Sequence, residues 1–243
     1  MGQSWPLAVE AHNLVALYDG KPVPKARVDT IVTQVQKQAA QRNLVHELLD
    51  KALDKGWGDN IMLRSPTRSL SYRQARAEVD RRVGVLRHSL GLEPGMRVLL
   101  RGGNSIEMAL AWLAVVKAGL VAVATMPLLR AKELGEIIAK AQPVLALCDA
   151  SLLTELQQAQ SLHPVLATIV PFNDEANPQS LGALAAHQPD HCAPCDTAAD
   201  DIALLVFTSG TTGAPKGTMA MHINALGCAR NTAFGEYRIK GDE

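Results

Sequence analysis

Thr208-Ser209-Gly210-Thr211-Thr212-Gly213-Ala214-Pro215-Lys216-Gly217 gathers four hydroxyls, three glycines and one lysine into ten consecutive residues. That mixture is suited to gripping phosphate. Glycines let backbone amides approach an anion without a Cβ in the way, the Ser and Thr hydroxyls add donors, and Lys216 adds a full positive charge. A hydrogen bond to a charged group contributes ~1.5–3 kcal/mol, so several converging donors can hold a triphosphate. The stretch is not the commoner phosphate loop G-x-x-x-x-G-K-[ST], which needs glycine where Pro215 stands and Ser or Thr where Gly217 stands. No dinucleotide-type G-x-G-x-x-G is present either. On composition alone, a plain Gly/Thr hairpin between two strands is the alternative reading.

Other reactive side chains carry less. His187, His191, Cys192 and Cys195 form an H-x₃-H-C-x₂-C cluster whose residue types suit zinc or a dithiol, but a zinc site commonly pairs two separated ligand clusters. The expectation is a connecting loop, with metal binding left open. His222 lies six residues beyond Lys216 and either faces a nucleotide or packs at a helix start. Cys148 and Cys228 sit in apolar surroundings and are expected to be core thiols. Ser209 lacks the G-x-S-x-G elbow of a hydrolase nucleophile. Asp200 and Asp201, at the mouth of a strand, read as solvated turn residues rather than metal ligands. No catalytic residue is assigned.

The elements that must position the loop follow from periodicity. The apolar run Ile202 to Phe207 feeds it directly and reads as a strand. Upstream, Leu44, Leu48, Leu49, Ala52 and Leu53 share a helical face. Ser71 and Gln74 form a capping box that starts a helix whose buried stripe is Ala75, Val79, Val83, Leu86 and Leu90. Arg76, Arg81, Arg82 and Arg87 fall mostly outside that stripe and are expected on a solvated face. Then 97–101, 121–124, 144–148 and 166–170 alternate with helices near 105–117, 131–141 and 151–160. Strands alternating with such helices pair in parallel through right-handed crossovers, so the expected fold class is α/β, a doubly wound, mostly parallel sheet. The expected organisation is a lead segment over 1–43 and an α/β unit over 44–243.

Composition excludes several classes. The 243 residues carry 24 Lys+Arg against 24 Asp+Glu and only 4% aromatics, which argues against a nucleic-acid partner needing surplus cations and stacking platforms. With 47% hydrophobic residues the chain is expected to be ordered. Met108 to Leu129 holds a single charge, Lys117, but lysine in mid-membrane costs ~2.5–3.5 kcal/mol and Gly119 and Pro127 break the run, so no span is expected. Four sparse cysteines, with Lys21 the first basic residue, read as a cytoplasmic protein with reduced thiols.

TSGTTGAPKG, with its preceding strand and Thr218 to His222 after it, resembles the signature of the AMP-forming acyl-CoA synthetase, adenylation-domain and luciferase superfamily. The resemblance runs from about residue 44 to the end: Gly91 to Val98 and Asn104 to Gly119 look like that superfamily's first α/β core. ELLDKALDKGWGDN and GTMAMH look like the benzoate and 2-aminobenzoate CoA ligases. The resemblance implies an enzyme that joins a carboxylic acid to the α-phosphate of ATP, with Mg²⁺, and then exchanges AMP for coenzyme A. Carried over, Thr208, Ser209, Thr211 and Thr212 donate to phosphate oxygens, Gly210 and Gly213 shape the loop, and Lys216 counters its charge. Members of the superfamily are about twice this long. The adenine, ribose and metal-binding segments, the hinge and the domain bearing the catalytic lysine find no counterpart, so the chain alone is expected not to make a thioester. Two rivals remain: an adenylation domain that loads a carrier protein, and a non-catalytic nucleotide-binding or interaction fragment. The particular acid and the oligomeric state are not legible.

Overall fold

The computed structural model describes residues 17–18, 21–22, 43–208 and 215–230. The chain divides into two compact units, Met1–Gln41 and Arg42–Glu243. In the first, β1 (Leu17–Tyr18) and β2 (Lys21–Pro22) form a minimal antiparallel pair.

The second unit opens with a helical segment, His46–Asp50 continuing as α1 (Lys51–Asp54), that buries Leu49 and Ala52. A short hairpin follows, β3 (Ile61–Arg64) with β4 (Ser69–Ser71). Helix α2 (Tyr72–Gly84) starts where the sequence places it, because Ser71 Oγ accepts from the Gln74 N–H while Gln74 Oε1 accepts from the Ser71 N–H. Next come β5 (Arg97–Arg101), α3 (Ile106–Lys117), β6 (Val121–Thr125), α4 (Ala131–Ala141), β7 (Leu145–Asp149), α5 (Leu153–Ser161) and β8 (Thr168–Phe172). Helix α6 (Leu181–Ala185) precedes β9 (Ile202–Thr208), β10 (Lys216–Met221) and α7 (His222–Arg230).

The main sheet has the order β10-β9-β6-β5-β7-β8, parallel throughout except for the antiparallel edge strand β10. The chain steps from β5 to β6 on one side and then returns past β5 to β7, so the direction of winding reverses at β5. Right-handed crossovers then put α3 on one face and α4 and α5 on the other. Side chains record the two faces by alternation. Val98, Leu100, Leu145 and Leu147 pack with α2 and α3, whereas Leu99, Ala146 and Cys148 pack with α4 and α5. The doubly wound sheet is the fold class that the periodicity implies.

The stretch from Met108 to Leu129 resolves into α3, a turn and β6. Gly119 makes that turn at φ +77°, where a Cβ would also lie 2.6 Å from Cys195 Sγ. Among the described residues, no helix is long and apolar enough to cross a membrane.

Two sequence expectations need correction. Arg82 is 2% exposed and lies against Glu78 and Glu107, because α2 is covered by α3 on the side where a solvated face was expected. Cys228 is exposed on α7 rather than in the core, while Cys148 is buried in the sheet as expected, its thiol pushed up to about 12 by desolvation.

Candidate functional site

β9 ends and β10 begins as direct antiparallel partners, Thr208 opposite Lys216. The intervening loop is therefore closed at its root by a two-stranded ladder. Ser209, Gly210, Thr211, Thr212 and Gly213 lie outside the described residues, and Thr208 is described as backbone. Lys216 is exposed at the first position of β10.

Three contacts fix this root. Phe207 stands opposite Gly217, and a Cβ on Gly217 would come 3.1 Å from the Phe207 ring, so a larger residue there would require the ring to give by a few tenths of an ångström. Leu205 and Phe207 pack with Val123 of β6 and with Ile137 and Ala141 of α4. Lys140 Nζ donates to the Pro215 carbonyl at 2.7 Å, which brings a second cation to the loop's end. Lys140 has no signal in the sequence, where it reads as one more solvent-facing lysine of an amphipathic helix.

Because β5 to β9 are parallel, their carboxyl ends share one edge of the sheet, and the loop leaves β9 there. In open α/β sheets ligands bind at that edge, where the winding reverses. A cleft of about 350 Å³ sits there, walled by Arg101, Pro127, Leu129, Arg130, Leu152 and Glu155. Arg101, the last residue of β5, is 1% exposed and donates to four carbonyls: Leu152 (3.3 Å), Met126 (3.2 Å), Pro127 (3.1 Å) and Leu129 (2.9 Å). It thereby ties together the loops that follow β6 and β7. Burial pulls its guanidinium below the ordinary arginine value. At the rim, the Ala131 N–H and the Arg130 side chain hold the Glu155 carboxyl below the usual range.

The remaining candidates are engaged elsewhere. His187 and His191 are exposed, and His191 Nδ1 lies 2.7 Å from Arg76 Nη2. Cys192 and Cys195 are half-buried against the helices, and the Cys195 N–H donates to the Lys117 carbonyl at 2.9 Å. No group of three or more His, Cys, Asp or Glu side chains among the described residues is placed to hold a metal ion. Asp200 is exposed, and Asp201 Oδ2 accepts the Ala198 N–H in a turn. His222 is 1% exposed and packed rather than open to the cleft.

Beneath the 189–197 segment lies an ion cluster that spacing does not reveal. Lys117 and Asp80 are fully buried, with Lys117 Nζ 2.6 Å from Asp80 and 3.2 Å from Asp50. Arg76 Nε lies 3.1 Å from Asp50 and 3.2 Å from Asp80. Desolvation outweighs both cations and raises the Asp80 carboxyl above its ordinary value.

The family described as AMP-binding enzyme matches residues 49–242. The 4-hydroxybenzoate–CoA/benzoate–CoA ligase of Rhodopseudomonas palustris is 30% identical over 190 residues, covering 78% of this chain and 35% of that protein. The chain thus spans about a third of the length of the curated relatives it matches. The crystal structure of ATP-bound MatB from Rhodopseudomonas palustris superposes with a TM-score of 0.70 at 29% identity, covering 79% of this chain and 37% of that one. The crystal structure of the anthranilate CoA ligase AuaEII in complex with anthranoyl-AMP gives a TM-score of 0.74 over 81% of this chain and 37% of that one. At 24% identity that likeness speaks to the fold.

Proposed function

Because this chain belongs to the AMP-binding enzyme family, we propose that it is the amino-terminal part of an ATP-dependent carboxylate–CoA ligase of the cytoplasm. Its acid is aromatic, of the benzoate or 2-aminobenzoate kind, and the reaction passes through an acyl-adenylate. The relatives named as benzoate and hydroxybenzoate ligases support the choice of acid.

In this reading the loop 208–216 serves the first half-reaction. A carboxylate oxygen attacks the α-phosphorus of ATP, the bond from that phosphorus to the β-phosphate's bridging oxygen breaks, and pyrophosphate leaves with the charge. Donors fixed in advance around the β- and γ-phosphates stabilise that charge as it builds. Thr208, Ser209, Thr211 and Thr212 supply hydroxyl donors, Gly210 and Gly213 let amides close in, and Lys216 supplies the cation. Mg²⁺ would enter with the triphosphate and offset part of its charge. Coenzyme A belongs to the second half-reaction.

The observation that supports this most is the position of the root: Lys216 is exposed and pinned opposite Thr208 at the carboxyl edge of a doubly wound sheet. Calorimetric titration of Mg·ATP into the chain and its Lys216→Ala variant tests it. Loss of one charge-assisted hydrogen bond lowers affinity by about tenfold or more. Equal affinities would mean the lysine touches no phosphate, and the reading would fall.

A further inference from the structure

We propose that His222 is a positioning residue for the loop: its neutral imidazole fastens the base of the β9–β10 hairpin, the end away from the loop, to the helical segment that begins at Leu44. The Leu44 N–H donates to His222 Nδ1 at 3.0 Å across 178 residues of sequence. A backbone N–H can only donate, so Nδ1 carries no proton and the ring is the tautomer protonated on Nε2. The N–H groups of a helix's first turn have no partner within the helix, and His222 supplies one for Leu44.

The bond is one link of a chain into the core. Asn43 Nδ2 donates to the carbonyls of Val116 (3.0 Å) and Lys117 (3.3 Å), while its Oδ1 accepts the Val45 N–H at 3.0 Å. That holds residues 43–45 against the end of α3. On the other side, the His222 N–H donates to the Asp201 carbonyl at 3.1 Å and the Ile223 N–H to the Ala199 carbonyl at 2.9 Å. These two bonds stitch the end of β10 to the turn that enters β9. The hairpin is thus clamped at its base by one residue, immediately after β10 and six positions from Lys216. A ring with 1% exposure in this place does not need to be histidine for volume alone. The acceptor is what distinguishes it.

The role in nucleotide binding rests on the function proposed above for the loop, whereas the fastening does not, and the test separates the two. Asn places its amide oxygen where Nδ1 stands, and Phe fills the space without an acceptor. In the full chain, amide hydrogen exchange at Leu44 and along β10 is expected to quicken by about tenfold in His222→Phe and to return to within a few-fold of wild type in His222→Asn. Equal protection in the two variants would overturn the proposal, since a space-filling role predicts Phe to serve as well as Asn. Should His222→Phe fail to fold, the ¹⁵N spectrum of the wild-type ring decides: an unprotonated, hydrogen-bonded Nδ1 supports the fastening, and a proton on Nδ1 overturns it. Mg·ATP affinity is expected to follow the same order, Asn above Phe. Equal affinities in the two variants would overturn the positioning role. Absence of ATP binding in wild type, with the exchange order intact, would sink the nucleotide reading and leave the fastening standing.

Discussion

The middle of the sheet and its last hairpin are built in opposite ways. Val98, Leu99 and Leu100 of β5 are fully buried, with helices on both faces, whereas β10 exposes Lys216, Gly217, Thr218 and Met219 in succession. The first region keeps even its charges inside, in the Asp80–Lys117 pair. The second keeps a lysine outside and is held by a few directed contacts: Phe207 over Gly217, Lys140 on Pro215, and His222 on Leu44. Burial therefore concentrates in the scaffold, and the function proposed above would place the phosphate chemistry at the hairpin end where Lys216 is exposed. A loop so placed needs rigid footing, which is why the contacts along the hairpin that carries it matter more than their number suggests.

The contrast is broken most forcefully at Lys117. Replacing it by Met leaves the buried Asp80 carboxylate with Arg76 and the Cys192 backbone N–H but without its lysine, and removing one partner of a buried pair costs about 3–5 kcal/mol. For a chain of this size that corresponds to a fall in Tm of about 6–20 °C. Combining Lys117→Met with Asp80→Leu is expected to recover most of the loss, because the uncompensated charge goes with its partner. A single variant that melts like wild type would show that the scaffold does not depend on its buried charges.

This cluster also shows where the sequence ceases to be legible. Helix starts such as Ser71–Gln74, and the alternation of strands with helices, are local and can be read from spacing alone. Asp50, Asp80 and Lys117 come from three helical segments at least 30 residues apart, and only packing brings them together. Arg82 differs from its sequence expectation for the same reason: the apolar stripe of α2 does not mark the further side that packs against Glu107 of α3. The composition of 208–217 suggests phosphate binding, and the position of His222 beyond Lys216 offers either a nucleotide-facing or a helix-start role, but its hydrogen-bond partner, Leu44, lies 178 residues away and has no local signal.

A smaller effect tests the hairpin's footing by pH. Burial pulls His222 below its ordinary value of 6.5, against the opposing charge of Asp201. The other residues at the contact, Asn43, Leu44, Val45, Met221 and Ile223, carry no charge. A depressed folded-state value means the neutral ring's contribution is present in full above about pH 6.5 and is lost as pH falls toward the folded value. One titrating group changes stability by at most ~1.4 kcal/mol per pH unit. Denaturant midpoints for wild type should therefore fall more steeply below pH 6.5 than those for His222→Asn. The comparison cancels Asp80 and the other histidines, which are present in both proteins. Parallel pH curves would mean that the ring is already protonated, or not held, at the base of the hairpin.

The least effect is expected at Met219. It lies on β10 opposite Leu205 and is 63% exposed, so Met219→Thr removes little buried surface and introduces a residue that favours strands. A surface change of this kind stays within about 0.5 kcal/mol, and Mg·ATP affinity should be unaltered because the residue is on the ladder rather than at its mouth. A loss of 1 kcal/mol or more in a denaturant titration would place apolar contacts over this face of β10. The hairpin would then be a packed element like β5, and the division of labour between a buried scaffold and an open phosphate edge would have to be redrawn.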